Sequence, residues 1–302
     1  METRRVQHCG QCKSAQLLRD RRFAPILARM ADRLPVEAML DDYLARWKLT
    51  PDGDPIVTRT SAILPVRAAG LPAVLKIATV EEEKAGARLM AWWNGGGAAP
   101  VLRHGENALL LARACGGRSL RAMVQAGNDD EASRIICGVV AKLHAKRSRP
   151  APHLPSLGHW FEPLRSAADA HGDVLRLSAT VASALLESPE EATVLHGDIH
   201  HGNILDFGSA GWLAIDPKGL VGERGFDYAN LFCNPDATIA LAPGRLGRQV
   251  DVVSKAAGLN PSRLLDWIVA WTGLSAVFLM QDGEPPCHVL ELAERAAAER
   301  QC

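Results

Sequence analysis

The sequence has no excess of either charge and no apolar segment long enough to cross a bilayer. Lysine plus arginine and aspartate plus glutamate each number 34, so the formal net charge is zero and gives no general attraction to nucleic acid. The most apolar run, residues 264–280, contains Asp266 and falls short of the roughly 20 residues that a membrane helix needs. The N-terminus also lacks the apolar stretch of a signal peptide. We therefore expect a cytoplasmic protein without a nucleic-acid or membrane partner, in which 264–280 is a buried helix.

The cysteines do not form the pattern of a disulfide framework. There are seven of them, an odd number, and they are scattered, which is typical of free thiols in a reducing compartment. Cys9 and Cys12 form a lone C-x-x-C, which without a second pair is a weak zinc or redox signal. They lie in residues 1–37, where eight basic side chains face four acidic ones. We expect this segment to be a disordered basic extension.

Hydrophobic periodicity divides the rest of the chain into a mixed part and a helical part. Helical spacing at 36–47 is followed by a turn signal and by four strand candidates with one acidic helix among them. In chain order, the predicted elements are strands 55–65 and 72–78, a helix over 79–93, and strands 100–104 and 108–112. After residue 117 the pattern is helical. The sequence thus predicts an α+β protein with a small lobe over 38–113 and a larger, mostly helical lobe over 114–302.

The segment Val194-Leu-His-Gly-Asp-Ile-His-His-Gly-Asn203 carries the strongest chemical signal. Asp198 and Asn203 have the spacing of the H-R-D-x-x-x-x-N loop of protein kinases, with His196 two residues before the aspartate. Phosphoryl transfer requires a carboxylate that orients the acceptor hydroxyl, and Mg²⁺ ions that neutralise the phosphate oxygens. An apolar strand then ends at Asp216, where a kinase has a second metal ligand. The pattern therefore predicts phosphotransfer, with Asp198 as the catalytic group and Asn203 and Asp216 as metal ligands.

Two other interpretations of this loop have to be considered. Asp198 and Asn203 could cap turns without any catalytic role. Alternatively, His196, His200 and His201 could bind zinc, but Gly197 and Gly202 disfavour the helix that would align the first two histidines. The apolar strand that follows the loop favours the kinase interpretation.

Lys76 interrupts the apolar strand Ala73-Val-Leu-Lys-Ile-Ala78, much as the kinase lysine interrupts V-A-I-K. A strand lysine often lies on a solvent-facing edge instead. The acidic helix that follows favours a functional role, because a glutamate there would hold the ammonium against the ATP phosphates. Spacing alone does not choose between Glu81, Glu82 and Glu83.

With these elements the chain resembles the aminoglycoside phosphotransferases over roughly residues 38–295. Within them it is similar to the streptomycin 6-kinase and aminoglycoside/hydroxyurea resistance kinase group. The matching elements, besides the loop and Lys76, are Trp93-Asn-Gly95, Leu109-Leu-Leu111, Trp212-Leu-Ala-Ile-Asp-Pro217, Gly219-Leu-Val-Gly222, Ala229-Asn230, Asn234-Pro235 and Arg263-Leu-Leu265.

The resemblance implies a protein-kinase-like two-lobed fold and ATP-dependent O-phosphorylation of a small molecule, most naturally streptomycin, by a monomer or dimer. By position it implies Asp198 as the base, Asn203 and Asp216 as Mg²⁺ ligands and Glu83 as the partner of Lys76. It places adenine at a hinge over 111–114, through the backbone of Ala112 and Ala114. For a substrate rich in guanidinium and hydroxyl groups, the acidic candidates are Glu223 and Asp227.

The chain departs from the kinase pattern in two places. The first hairpin lacks the glycines of G-x-G-x-x-G, so Thr60 and Ser61 are the candidate phosphate donors there. Asp216 is followed by Pro-Lys-Gly rather than Phe-Gly, so no switch based on that phenylalanine is expected. Two other functions stay open at this point: a metabolic kinase for another small alcohol or amino alcohol, and a pseudokinase that binds nucleotide without turnover.

Overall fold

The computed structural model describes residues 36–169 and 172–300. Cys9, Cys12 and the remainder of the predicted extension up to residue 35 lie outside the described residues.

The first part of the described chain is an antiparallel sheet, with one helix before its first strand and a second helix between its fourth and fifth strands in chain order. The predicted helix at 36–47 is confirmed as α1 (Val36–Trp47), and its Leu40 and Tyr43 are buried in the core of this sheet. The strands are β1 (Leu49–Pro51), β2 (Ile56–Val57), β3 (Ser61–Ala68), β4 (Leu71–Ala78), β5 (Val101–His104) and β6 (Ala108–Ala112). Their order in the sheet is β1-β3-β4-β6-β5, and β2 pairs with the outer part of β3.

The segment predicted as one strand over 55–65 is instead two strands separated by a tight turn. The hydroxyl oxygen of Thr58 accepts the backbone N–H of Ser61 at 3.0 Å and that of Thr60 at 3.3 Å, which closes the chain on itself. β3 then continues through Pro65 to Ala68. The turn predicted at Ala69-Gly70 is confirmed, since both residues have positive φ, as a two-residue hairpin turn requires.

The acidic helix predicted over 79–93 is α2 (Glu81–Trp93), and in sequence it connects β4 to β5. Its three glutamates occupy the first turn, where the helix dipole favours negative charge. α2 contacts the strands β4 and β5, and its Leu89, Met90 and Trp93 are buried in the larger core, which also contains side chains of β6.

The second part of the described chain is mostly helical. Its helices are α3 (Leu120–Gln125), α4 (Asp129–Leu143), α5 (Leu157–Trp160), α6 (Glu162–Ala167), α7 (Asp173–Glu187), α8 (Phe226–Ala229), α9 (Ala237–Ala240), α10 (Arg245–Ala257), α11 (Pro261–Gln281) and α12 (Cys287–Glu299). The apolar run 264–280 forms most of α11, and most of its side chains are buried against α7, α8 and α12. By length and composition α11 would suffice to span a membrane, but two thirds of its apolar window is enclosed by the protein, so the prediction of a buried helix is confirmed.

Two short two-stranded sheets lie between α7 and α8 in sequence, and the predicted catalytic residues lie in the segments that connect their strands. β7 (Ala192–Leu195) pairs with β10 (Leu220–Glu223), and β8 (Ile204–Asp206) pairs with β9 (Trp212–Ala214). The segment 196–203 connects β7 to β8, and Asp216 follows β9. The predicted α+β architecture, a small sheet followed by a larger helical part, is confirmed.

Candidate active site

The segment 196–203, named here the catalytic loop, is held in shape by His196. The ring Nε2 lies 2.8 Å from the carbonyl oxygen of Ile215, which only accepts, so Nε2 carries the hydrogen. The other ring nitrogen, Nδ1, accepts the backbone N–H of Asp198 at 3.2 Å. Burial lowers the pKa of His196, so the ring is neutral, as these two bonds require. His196 therefore ties the loop to the strand end that leads to Asp216.

The carboxylate of Asp227 holds the start of the catalytic loop in place. It accepts the backbone N–H of His196 at 2.9 Å and that of Gly197 at 2.7 Å, and the Nε2 of His144 at 2.8 Å. Burial alone would raise the pKa of Asp227, but these donors hold it below its ordinary value. Asp227 is 1% exposed, so its carboxylate positions the loop rather than facing a substrate.

Each carboxylate oxygen of Asp198 accepts a hydrogen bond from a side-chain amide. The Nδ2 of Asn203 lies 3.2 Å from Oδ2 and 2.9 Å from the backbone oxygen of Asp198. The Nδ2 of Asn230 lies 2.9 Å from Oδ1. About a quarter of the Asp198 side chain is exposed (27%), so it is accessible to a second substrate. The contact of Asn230 was not predicted from the sequence, because 32 residues separate the two positions.

The histidines of the catalytic loop do not gather at a metal site. His196 uses both ring nitrogens within the loop, and the Nδ1 of His200 accepts the N–H of Gly202 at 3.0 Å. His201 is buried without a hydrogen-bond partner, and burial lowers its pKa to about 4, so its ring is neutral. Within 36–169 and 172–300, no three His, Cys, Asp or Glu side chains are grouped as metal ligands. The geometry gives no support to the zinc interpretation.

Lys76 lies between two carboxylates, one from each part of the chain. Its Nζ contacts Glu83 at 2.5 Å and also contacts Asp216. Burial alone would lower the pKa of Lys76, but Asp216 and Glu83 raise it above its ordinary value, so the ammonium stays charged. For Asp216 the effect of burial is likewise outweighed by Lys76, which lowers its pKa. This triad joins β4, α2 and the segment after β9.

The three consecutive glutamates of α2 have different partners. Glu83 contacts Lys76, whereas Glu82 contacts Lys218 at 3.3 Å and Glu81 contacts Lys84 and Arg88 on its own helix. The choice that spacing left open therefore falls on Glu83. The Glu82–Lys218 pair adds a second link between α2 and the segment that begins at Asp216.

α2 approaches this segment so closely that its middle requires a glycine. A Cβ at Gly86 would lie 2.0 Å from the carbonyl oxygen of Pro217, well inside van der Waals contact. Gly219 faces α2 from the other side, and a Cβ there would lie 3.1 Å from the backbone of Ala85. A glycine inside a helical pattern often has a packing reason of this kind, so Gly86 is the feature of the sequence from which this close approach could be predicted.

Replacing Gly86 with alanine is expected to lower kcat/KM for the nucleotide by about tenfold or more, because α2 and the Asp216 segment must move apart and shifts of about 1 Å are costly in catalysis. Gly138→Ala is the matched control, since Gly138 is exposed in α4 and has no atom within 4 Å of an added Cβ. That control should keep full activity and gain up to about 1 kcal/mol of stability. Equal kinetics of the two variants in a steady-state ATP titration would contradict the close-approach interpretation.

Thr60 and Ser61, the predicted phosphate donors, lie at the turn between β2 and β3. Their backbone N–H groups both donate to Thr58, and the Thr60 hydroxyl donates to Glu83 Oε1 at 2.9 Å. Ser61 is buried. The turn thus lies above the Lys76–Glu83 pair, but its amides bond within the turn in this conformation.

A cavity opens beside the triad. Its lining combines the charged side chains of Lys76, Glu83 and Asp216 with apolar ones such as Met90 and Leu111. This combination suits a nucleotide, whose phosphates are anionic and whose base is flat and apolar.

The predicted hinge follows β6 at the edge of this cavity. The N–H of Ala112 donates to the carbonyl of Pro100 at 3.0 Å, so of Ala112 and Ala114 only the latter lies beyond the strand pairing. The hinge is fixed to β8 by Asp206, which accepts two hydrogen bonds from the guanidinium of Arg118, at 2.8 and 3.0 Å. Arg118 lowers the pKa of Asp206 to about 2, so this ion pair persists at neutral pH.

The oxygens near Asp198 fit a magnesium ion. Both hydrogen bonds of the Asn203 amide go through its nitrogen, which leaves its oxygen for a metal. Asp216 has a φ of 59°, a left-handed conformation that is unfavourable for a residue with a side chain and is typical of functional positions. Carboxylate and amide oxygens are the ligands that Mg²⁺ prefers.

Glu223, the second acidic candidate for substrate binding, lies elsewhere. It accepts hydrogen bonds from Arg263 at 2.6 and 2.7 Å and from the indole of Trp267 at 2.7 Å. It lines a separate cavity between β10 and α11, and none of Lys76, Asp198 and Asp216 lines that cavity. The expectation that Glu223 contacts the substrate finds no support in this geometry, because its buried carboxylate is already paired with Arg263.

Comparison with known proteins gives one family. The model of the aminoglycoside/hydroxyurea antibiotic resistance kinases matches residues 46–283. The chain is 48% identical over 264 residues to a streptomycin 3''-kinase from Klebsiella pneumoniae, covering 85% of this chain and 99% of that relative. It is 33% identical over 262 residues to a streptomycin 6-kinase from Streptomyces glaucescens, covering 82% and 83%.

The fold is shared with a solved structure of low sequence identity. A thermostable mutant of an aminoglycoside phosphotransferase, in a ternary complex with ADP and hygromycin B, superposes with a TM-score of 0.60 at 13% identity. The match covers 86% of this chain and 97% of that one.

Proposed function

Because this chain belongs to the aminoglycoside/hydroxyurea antibiotic resistance kinase family, we propose that it phosphorylates streptomycin, at the 3''-hydroxyl group, with MgATP as the donor. The chain is a phosphotransferase acting on a hydroxyl group. The choice of streptomycin and of its 3'' position is supported by the 48% identity to a streptomycin 3''-kinase across 99% of that relative's length. The observation that carries the proposal is Asp198, an accessible carboxylate held by two amides beside the Lys76–Glu83–Asp216 triad.

In this proposal Asp198 acts on the acceptor. The hydroxyl of the substrate donates its hydrogen bond to a carboxylate oxygen of Asp198, which orients the hydroxyl oxygen towards the γ-phosphorus. Asp198 takes up the hydroxyl proton as the new P–O bond forms and the bond from the γ-phosphorus to the β,γ-bridging oxygen breaks, with ADP as the leaving group. A positioned base of this kind typically contributes 10²–10⁴-fold in rate. The neutral His196 keeps the backbone of Asp198 in place while this happens.

Lys76 would hold the nucleotide phosphates. Its charged ammonium is supported by Glu83 and lines the cavity, where it would neutralise oxygens of the α- and β-phosphates. Asn203 and Asp216 would hold Mg²⁺, which when bound neutralises the phosphate oxygens. Adenine would lie against Leu111 with a hydrogen bond to the backbone of Ala114, while the turn at Thr60 and Ser61 would cover the phosphates.

Three further predictions from the sequence concern the location of the reaction, the oligomeric state and the role of Asp227. We place the reaction in the cytoplasm, where ATP is available, and a monomer or dimer suffices because every proposed catalytic group comes from one chain. Asp227 contributes by positioning the catalytic loop.

The alternative acceptor is suggested by the family itself, whose description includes hydroxyurea kinases. The same catalytic groups would then phosphorylate a small hydroxylamine oxygen. A metabolic kinase for an amino alcohol is the further alternative. These functions differ only in the acceptor, so a panel of acceptors separates them.

The test is acceptor-dependent ADP release with purified protein, ATP and Mg²⁺. Streptomycin, hydroxyurea and choline are compared at equal concentration, with a reaction without acceptor as the baseline. We expect ADP release equal to the amount of streptomycin added and no release above baseline with choline. ADP release with hydroxyurea or choline, but not with streptomycin, would contradict the streptomycin assignment.

A further inference from the structure

Asn230 is the first residue after α8, and its side-chain amide joins three other side chains. The Nδ2 lies 2.9 Å from Oδ1 of Asp198. The Oδ1 of Asn230 lies 3.1 Å from Nε1 of Trp271 and 3.1 Å from Nδ2 of Asn234. The amide therefore bridges the catalytic loop and the long buried helix α11.

The chemistry of these neighbours allows only one orientation of the amide. The indole nitrogen of Trp271 can only donate, so the atom it contacts must be the amide oxygen. The carboxylate of Asp198 can only accept when ionised, so the atom it contacts must be the amide nitrogen. Asn234 agrees, because its Nδ2 also donates to the backbone oxygen of Asn230 at 2.9 Å. A flipped amide would place oxygen against oxygen at Asp198 and nitrogen against nitrogen at Trp271.

The two side-chain amides that donate to Asp198 are held by different parts of the protein. Asn203 donates to Oδ2 and to the backbone oxygen of Asp198, so it is anchored within the catalytic loop itself. Asn230 donates to Oδ1 and is anchored only to the protein, through α11. Each carboxylate oxygen accepts two hydrogen bonds, so a donor on Oδ1 still leaves room for the substrate hydroxyl. Asn230 thus fixes the plane of the carboxylate independently of metal and substrate.

We propose that Asn230 is a positioning residue for phosphotransfer: its amide nitrogen holds Oδ1 of Asp198 in the orientation that receives the acceptor hydroxyl. Trp271 and Asn234 keep that nitrogen turned towards Asp198. The proposal rests on the proposed function, since it takes Asp198 as the base. It adds a residue at the end of α8 whose contact with Asp198 the sequence did not predict.

The decisive variant is Asn230→Asp. Aspartate has the shape of asparagine and still accepts from Trp271 and Asn234, so the contacts to α11 persist. What it removes is the donor to Asp198, which then faces a second carboxylate. If Asn230 served only to pack α8 against α11, this variant would retain full turnover. Asn230→Leu removes all three bonds and serves as the second variant.

The experiment is steady-state kinetics on the acceptor that the wild-type protein phosphorylates. We expect Asn230→Asp and Asn230→Leu to lower kcat by about 10²-fold, because misplacement of a catalytic group by about 1 Å costs that much. The KM values for ATP and acceptor should stay within about threefold, since neither substrate binds through the Asn230 amide. Asn128→Asp, which adds the same charge at an exposed residue before α4, should match the wild type.

Two outcomes would overturn the positioning role. One is a kcat of Asn230→Asp within about threefold of the wild type. The other is a change confined to KM. Failure of the streptomycin assignment is a separate result: if the wild type phosphorylates another acceptor and Asn230→Asp loses kcat on it, the positioning role stands and only the substrate is corrected.

Discussion

Replacement of Asp198 by alanine is expected to lower kcat for phosphotransfer by about 10²–10⁴-fold while the fold remains intact. In the proposed function its carboxylate receives the proton of the acceptor hydroxyl; it is partly exposed and accepts hydrogen bonds from two side-chain amides. Its removal leaves Lys76, Asn203 and Asp216 in place, so nucleotide binding should persist. Rapid-quench or coupled assays of ADP release measure the loss, and far-ultraviolet circular dichroism checks the fold.

The matched control for this variant is Asp251→Ala, because Asp251 is an exposed aspartate on α10 far along the chain from the loop. It should retain wild-type kcat. Asp198→Asn adds a second comparison, since it keeps the size of the side chain and loses its basicity. A kcat of Asp198→Ala close to that of the wild type would exclude Asp198 as the base.

Replacement of Asp227 by leucine is expected to lower the free energy of unfolding by about 3–5 kcal/mol, the cost typical of breaking a buried charged pair. The variant would leave the N–H groups of His196 and Gly197 and the ring of His144 without their acceptor. Each buried polar group without a partner costs about 1–3 kcal/mol. Activity should fall as well, because these N–H groups begin the catalytic loop. Urea denaturation measures the free energy of unfolding, which for the wild type should lie within the 5–15 kcal/mol typical of whole proteins.

The pH dependence gives Asp227 a second signature. Its pKa in the folded protein lies below the ordinary value of 3.8, so its contribution is fully present above that pH. As the pH falls through the folded-state pKa the contribution is lost, and Asp227→Leu should therefore differ least from the wild type in acid. Asp251→Leu controls for an aspartate-to-leucine change at an exposed position. An unfolding midpoint of Asp227→Leu equal to that of the wild type at pH 7 would contradict its role under the loop.

The parts of the site that depend on local spacing were predictable from the sequence. Asp198 and Asn203 are five residues apart in one loop, and a hydrogen bond between them at 3.2 Å needs no knowledge of the rest of the fold. The helices with strong periodicity, such as α1 and α11, were predicted for the same reason. A short segment with a clear pattern determines its own structure.

The parts that depend on distant residues were not predictable. Spacing does not separate Glu81, Glu82 and Glu83; the family resemblance favoured Glu83, and the approach of β4 and of the Asp216 segment distinguishes the three. Glu223 and Asp227 were expected to bind a guanidinium-rich substrate, yet both are buried and paired within the protein. The split of the 55–65 strand depended on one hydroxyl, that of Thr58.

Asn230 is another residue whose contact could not be predicted from its local sequence. Phe226-Asp-Tyr-Ala-Asn230 reads as the end of a short helix, and nothing in its pattern indicates a partner 32 residues earlier in the chain. Two asparagines four residues apart, Asn230 and Asn234, are the one local hint of a side-chain amide network. Their function became apparent only when α8, α11 and the catalytic loop were seen to meet.

We propose above all that this chain transfers the γ-phosphoryl group of ATP to streptomycin at its 3''-hydroxyl. The most direct measurement is mass spectrometry of streptomycin after incubation with the protein, ATP and Mg²⁺, with phosphorus–proton correlation NMR to locate the modified oxygen. We expect one added phosphoryl group, coupled to the 3'' position and absent with Asp198→Ala. A phosphoryl group at position 6 would correct the site of transfer, and unmodified streptomycin after complete incubation would contradict the claim.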